Sequence, residues 1–413
     1  MTAYDALPTV SIGGVIYTSA TLNSLTTVSG RNTVDEQPRP GYATISIINV
    51  DGTYPNIRLN DPAIIRIKDS AGAPVSIFSG YVTDVARVVQ QHGDQGTQVG
   101  IDVTIAGPLL RLNRFTTASN YPKEFDGDRV EAILAAYEAT SWNELDPMLQ
   151  WEDVNPTTTW LTYDINFVGN IDTPGSYEIT AYNGGETSVL SHIQQVADSA
   201  MGVLWESPDG LINYSDATSR LTKVINDGFL DISAEYLQAT GLGSKSSLGD
   251  LINQMTIVYK TGQTTSGSDL TSIAQWGLFA GSKTTLLENL TDAQDMVELY
   301  LTTRSYPRNN LQTVTIPLHN PDLPDVLRDA LISIRIGDPV TIPNIPNSIY
   351  SGPFEGFVEG VTFTVTRVAG FVTLYLSEYA LSQIEQVWQQ VDDAELWNTI
   401  SATLTWQEAT VVA

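Results

Sequence analysis

The chain has 413 residues, 42% of them hydrophobic, with a formal net charge of −27. That composition suits a folded protein of about two to four domains and argues against disorder. There is no cysteine, which excludes a disulfide scaffold, a thiolate zinc site and a cysteine nucleophile.

The charge is uneven. Residues 1–120 hold 8 Lys/Arg against 9 Asp/Glu, and the remainder holds 12 against 38. Such a surface repels phosphates, so tight nucleic-acid binding through basic patches is not expected. The opening MTAYDALPTVSIGG has neither a basic region nor an apolar run of signal-peptide length. No stretch approaches the roughly 20 apolar residues of a membrane span. A soluble protein made in a cytoplasm is the expectation.

Residues 1–117 read as antiparallel β. Ala43, Ile45 and Ile47 alternate with polar residues, as do Val99, Ile101, Val103 and Ile105, which marks strands with one buried face. Turn-rich clusters separate them: QPRPG, DGTYPN, DSAGAP and QHGDQG. Near residue 118 the texture changes. Val130, Ile133, Leu134 and Tyr137 recur at helical spacing. A segment rich in aromatics, Pro and Thr follows, with Trp142, Trp151 and Trp160. A second helix fits 188–200, and the Pro-Asp-Gly turn in VLWESPDGLINYSD predicts a hairpin. Strands are expected again from about 222, including one with Met255, Ile257 and Tyr259. TGQTTSGSD (261–269) reads as a flexible loop. Thr291 and Gln294 form a capping-box pattern ahead of a helix over 292–303.

The chain then echoes itself. FSGYVTDV (78–85) is answered by FEGFVEGV (354–361). Each is preceded by an Asp-Pro strand, with 17 residues from Asp61 to Phe78 and 16 from Asp338 to Phe354. Each is followed by an alternating strand, VGIDVTIAG or FVTLYLS, and an earlier one (ATISI or TVTIPL) opens each series. Order and spacing agree together, so two copies of one small β-barrel are predicted. Phe78, Gly80, Phe354 and Gly356 are the candidate corner residues. A mid-strand glycine permits a bulge, a bend or close backbone approach, which a small barrel needs to turn.

No residue pattern specifies catalysis. His92, His192 and His319 stand apart, and HExxH, G-x-S-x-G, a Walker A loop and a helix-opening GxGxxG are all missing. GLGSKSS (241–247) lacks the ending of a phosphate loop. DGD (126–128) and VDD (391–393) could touch a cation but lack an EF-hand frame. With 47 acidic residues, carboxylate pairs of the glycosidase kind are uninformative. No cofactor or metal is expected. Trp388, Trp397 and Trp406 recur every nine residues in a tail with no basic residue after Arg367. They either pack on their own domain or serve as interface anchors.

Several runs resemble minor tail proteins of long-tailed phages that infect actinobacteria: SGRNTVDEQPRPGYATISIINVDG, SIFSGYVTDVARV, SVLSHIQQVADSAMGVLWESPDGLINYSD, LINQMTIVYKTG, SDLTSIAQWG, RSYPRNNLQTVTIPL, IGDPVTI and GFVEGVTFTVTRVAGFVTLYLS. Together they span nearly the whole chain in order, with Trp276 standing where a Tyr is expected. That family is similar to the baseplate, or tail-tip, hub. The resemblance implies a mainly β fold with two homologous tube-forming barrels and inserted α+β domains. It divides the chain into a first barrel at 1–117, an α+β hub domain at 118–221, a second barrel at 222–262 and 308–385, an insertion at 263–307, and a Trp-containing extension at 386–413. It implies a non-enzymatic virion component at the distal end of the tail. As a homotrimer, the hub would adapt a sixfold tube to a threefold tip. Its expected partners are the distal tail protein, the tape-measure protein and other minor tail or fibre proteins, and DNA would pass without specific binding. An acidic channel wall would repel that DNA. The alternatives are a carbohydrate-active tail enzyme acting on the host envelope and a hexameric distal tail protein.

Overall fold

The computed structural model describes residues 8–382, apart from 19, 50–53, 92–97, 118, 137–166, 239–241 and 367–368. The extension with Trp388, Trp397 and Trp406, the segment with Trp142, Trp151 and Trp160, VDD (391–393) and His92 lie outside the described residues.

The fold is mainly β. Its first strands are β1 (Thr9–Ile12), β2 (Val15–Thr18), β3 (Leu22–Gly30), β4 (Arg39–Asn49), β5 (Pro62–Lys68), β6 (Pro74–Gln91) and β7 (Gln98–Ala106). The alternation read from sequence is the burial pattern observed. Ala43, Ile45 and Ile47 of β4, Ala63, Ile65 and Ile67 of β5, and Ile101, Val103 and Ile105 of β7 all point inward.

An α+β block follows, with α1 (Asp126–Ala135), α2 (Val189–Ser199), the hairpin β8 (Val203–Glu206) and β9 (Ile212–Ser215), and α3 (Ser219–Asp227). The hairpin turns through Gly210 in a left-handed conformation (φ 87°), and the Gly210 N–H donates to Ser207 O at 2.9 Å. Glycine suits that backbone because it lacks a Cβ. Next come β10 (Gln254–Tyr259), β11 (Gln263–Ser268), α4 (Leu270–Trp276), β12 (Ala280–Thr284) and α5 (Leu290–Arg304). The chain returns to long strands with β13 (Thr313–Pro317), α6 (Asp325–Ile332), β14 (Pro339–Ile342), β15 (Phe354–Thr366) and β16 (Gly370–Glu378).

One sheet runs through both strand sets. Its order is Leu230–Asp231, β14, β15, β3, β4, β7, β6, β5, β1, β2, and β16 bridges β15 and β13. The two sets share one apolar core, from Val10 and Ile45 to Val358 and Leu376. A second core gathers α1, α2, the β8–β9 hairpin, β10 and α5.

Three expectations change. The strand Met255–Ile257–Tyr259 does not join the second strand set. It pairs with β11 and β12 in a separate sheet, and its inward side chains lie in the second core. Alternation identifies a strand but not its sheet. The predicted loop at 261–269 contains β11, an edge strand whose Ser/Thr composition suits its exposed residues. The region from 222 opens as the helix α3, not as strands. Helices α4 and α6 were also missed.

Candidate assembly site

The two strand sets correspond at the level of register. β4–β7–β6–β5 and β13–β16–β15–β14 are paired in the same antiparallel order. Pro62 faces Tyr81 and Pro339 faces Phe357, while Ala63 faces Gly80 and Val340 faces Gly356. A one-residue bulge falls at the same place in each: Thr83 in β6 and Glu359 in β15. The entry turns match as well. The amides of Arg58 and Arg335 donate to Oδ2 of Asp61 (2.8 Å) and Asp338 (2.7 Å). Asn60 and Gly337 between them are both left-handed, at φ 70° and 83°.

Phe78 and Phe354 are both buried in the shared core. Gly80 and Gly356 sit where the closing strand crosses at backbone distance. A Cβ on Gly80 would overlap the carbonyl oxygen of Ala106, and one on Gly356 would overlap that of Ser377.

Halfway along, β6 and β15 each leave the Asp-Pro strand behind and project past it. In β15 the projecting half, Gly360–Thr366, pairs antiparallel with Gly30–Ser24 of β3, which joins the second set to the first. At this seam Gly30 is left-handed (φ 92°), and a side chain there would overlap the backbone of Glu359 and Gly360.

Glu359 fixes the seam chemically. Its carboxylate is fully buried and accepts from Arg31 Nε (2.6 Å), Arg220 Nη1 and Nη2 (2.7 and 2.8 Å) and the Ser377 hydroxyl. Arg31 follows β3, Arg220 belongs to α3 and Ser377 to β16, so one carboxylate ties three parts of the chain. Burial alone would raise its pKa. Arg220 and Arg31 outweigh that and hold it well below the usual carboxylate range.

A second buried carboxylate joins the α+β block to the first strand set. Glu206, at the end of β8, accepts from the amides of Gly41 (2.7 Å) and Leu109 (2.6 Å). Side chains at Gly41 or Gly107 would collide with it, so the slot exists because both residues are glycine. Burial pushes its pKa up to about 7, against the pull of those two amides. The same hairpin contacts the first set again where the Ser79 hydroxyl donates to Pro208 O at 2.7 Å.

The cation candidates resolve differently. Asp126 of the DGD triplet is buried and takes the Tyr177 amide (2.7 Å) and the Tyr214 hydroxyl (2.5 Å); burial raises its pKa to about 6. His192 is buried between Tyr121 and Tyr182, and burial, with Arg129 nearby, lowers its pKa to about 4. His319 Nδ1 lies 3.2 Å from Gly370 O. In GLGSKSS, Ser244–Lys245 forms a short strand against Asn310–Leu311. Two neighbouring clefts flank Asp35 and Arg304, and Leu381 lines both. Asp35 there is ion-paired with Arg304, and Asp198 with Lys283. No group of three or more His, Asp or Glu placed to hold a metal occurs among the described residues. No helix among them is long and apolar enough to cross a membrane.

Neither Glu206 nor Glu359 was singled out from sequence. A buried glutamate carries no local signature, since most glutamates are exposed. The only available hint was the pair of glycines, 41 and 107, in otherwise regular strand patterns.

No family model and no curated protein matches the sequence. Solved structures match the fold. The 43 kDa tail protein of prophage MuSo2 from Shewanella oneidensis superposes with a TM-score of 0.58 at 11% identity, over 92% of this chain and 99% of that one. A tail protein from Neisseria meningitidis MC58 gives 0.55 at 12% identity, over 92% and 98%. Prophage tail protein gp18 from Listeria monocytogenes EGD-e gives 0.50 at 11% identity, over 90% and 95%. At these identities the likeness is one of fold.

Proposed function

We propose that this chain is a non-enzymatic structural subunit of a phage-type tail, acting at the distal tip as a homotrimeric hub. The observation that carries the reading is the duplication, matched strand by strand and bulge by bulge within one chain. Three such chains present six equivalent units, which lets a threefold tip meet a sixfold tube, and closed rings are the usual outcome of such symmetry. The fold likeness to three tail proteins supports the setting. A hexameric distal tail protein would need only one such unit per chain.

In this reading each strand set is a tube-type barrel, and Gly80 and Gly356 are its corners, with Phe78 and Phe354 filling the core beside them. The first set corresponds to residues 1–117, and the second to 222–262 and 308–385 without the strand Gln254–Tyr259. The hub bounds the channel for the tape-measure protein and DNA, with an acidic wall that repels the DNA without binding it. It docks on the distal tail protein and carries other minor tail or fibre proteins, with Trp388, Trp397 and Trp406 as interface anchors. A reconstruction of the virion tests this. Density for the chain at the tail tip with threefold symmetry is the expected result. A sixfold position, or no place in the particle, overturns it.

A further inference from the structure

The internal junction shows what the unpaired edges of the chain are shaped to receive. Glu359 and Thr83 occupy equivalent bulges, so Gly360–Val365 of β15 is equivalent to Asp84–Val89 of β6. Gly360–Val365 is covered by β3. Asp84–Val89 pairs with β7 on one side, and no described strand pairs with its other side. The exposures record the difference. Val365 is 1% exposed, while its counterpart Val89 is 53% exposed and Val88 beside it 51%. A projecting edge with two open valines is a template for pairing, and folded proteins ordinarily cover or charge such an edge.

The complementary edge can be located by the same correspondence. In the first set β3 lies outside β4, with Thr27 facing Ala43. In the second set Gln238 and Ser244–Lys245 lie outside β13 and the residues before it. The Gln238 amide donates to Thr315 O, and Ser244 faces Leu311. These residues are therefore the second set's version of β3, and no described strand covers their outer side. No described strand covers the outer side of the short edge Val15–Thr18 either, but that edge has no counterpart in the internal junction.

We propose that Asp84–Val89 of one copy docks edge to edge on Gln238 and Ser244–Lys245 of a second copy of this chain, repeating between chains the junction that β15 and β3 make within one. The contact is head-to-tail. Such contacts close into a ring when the rotation permits and otherwise run on as a filament. Closure at three rests on the hub reading. Carrying the internal register across places Ala86 opposite Ser244 and Val85 opposite Lys245. The valines supply the apolar part.

Two experiments on the full chain test the surface. In the first, Val88→Lys with Val89→Lys is compared with wild type by light-scattering mass, with circular dichroism and thermal unfolding to show that the fold is kept. A wild-type trimer reduced to monomer in the variant is expected. In the second, Ala86→Cys is combined with Ser244→Cys. The chain has no native cysteine to compete. Oxidation of the double variant is expected to give covalently linked chains up to the trimer, whereas the single variants give at most dimers. A trimer that survives the lysines, or a double variant that forms no linked trimer, overturns this surface while leaving the hub reading intact. A monomeric wild-type chain overturns both, and a hexameric one overturns the hub reading while the cysteine pair still decides the surface.

Discussion

Glu206→Gln tests whether a buried carboxylate governs the docking of the α+β block. In the folded chain Glu206 is buried, accepts two amides and has its pKa raised from 4.5 to about 7. The folded state therefore holds this proton more tightly than the unfolded state. Its contribution is fully present below about pH 4.5 and is lost as the pH rises through about 7. At 1.36 kcal/mol per pH unit, the whole window amounts to about 3 kcal/mol. A chain with two cores need not unfold in one step, so a local readout is better. Hydrogen exchange at the Gly41 and Leu109 amides, which donate to Glu206, reports the opening of this slot. Their protection in wild type should fall by roughly two orders of magnitude between pH 5 and 8, after correction for intrinsic exchange rates. Glu206→Gln should lack that component. Taking the ratio of wild type to variant removes two other titrations: Asp126, whose raised pKa acts in the same direction, and His192, whose lowered pKa makes the fold lose stability as the pH falls. A ratio that is the same at pH 5 and pH 8, or that moves the opposite way, refutes the argument.

Two further outcomes are expected. Gly356→Ala and Gly80→Ala each place a methyl group on a backbone carbonyl oxygen, of Ser377 and Ala106 respectively. Each should cost about 1–3 kcal/mol by overpacking, read as a lower denaturation midpoint, and an unchanged midpoint would remove the close-approach argument. Arg220→Ala leaves Glu359 buried with Arg31 as its remaining cation, at a cost of about 3–5 kcal/mol. Exchange along Ser24–Gly30 and Gly360–Thr366 should accelerate with it, whereas a loss confined to α3 would show that the carboxylate does not hold the seam.

Much of this fold was legible because the information lay in spacing. FSGYVTDV and FEGFVEGV, each behind an Asp-Pro strand, mark strands that share their pairing register. The repeat was longer than those words. IRLNDP (57–62) and IRIGDP (334–339) also match, and the structure explains the match through the Arg-amide-to-Asp turn and the left-handed residue within it. The placement of β10 was misread because Met255, Ile257 and Tyr259 alternate equally well for any sheet. β11 was misread because its Ser and Thr residues resemble a linker. Glu359 was invisible for a related reason. Alternation assigns it, with Phe357, to the face turned away from the shared core, and that face is buried because α3 packs over it and brings Arg220 to the carboxylate.

The paired bulges also bear on how a duplicated chain stays distinguishable from two separate ones. After a gene doubles, identical halves have no means of knowing their own twin from a stranger's. Here the same bulge holds an acid in one half and a hydroxyl in the other, with Thr83 Oγ1 donating to its neighbour Thr104 O at 3.3 Å. The acid meets two arginines on its own chain, while among the described residues the hydroxyl bonds its adjoining strand. A ring assembled from such chains would alternate between welded joints and separable ones, and could come apart only into whole polypeptides.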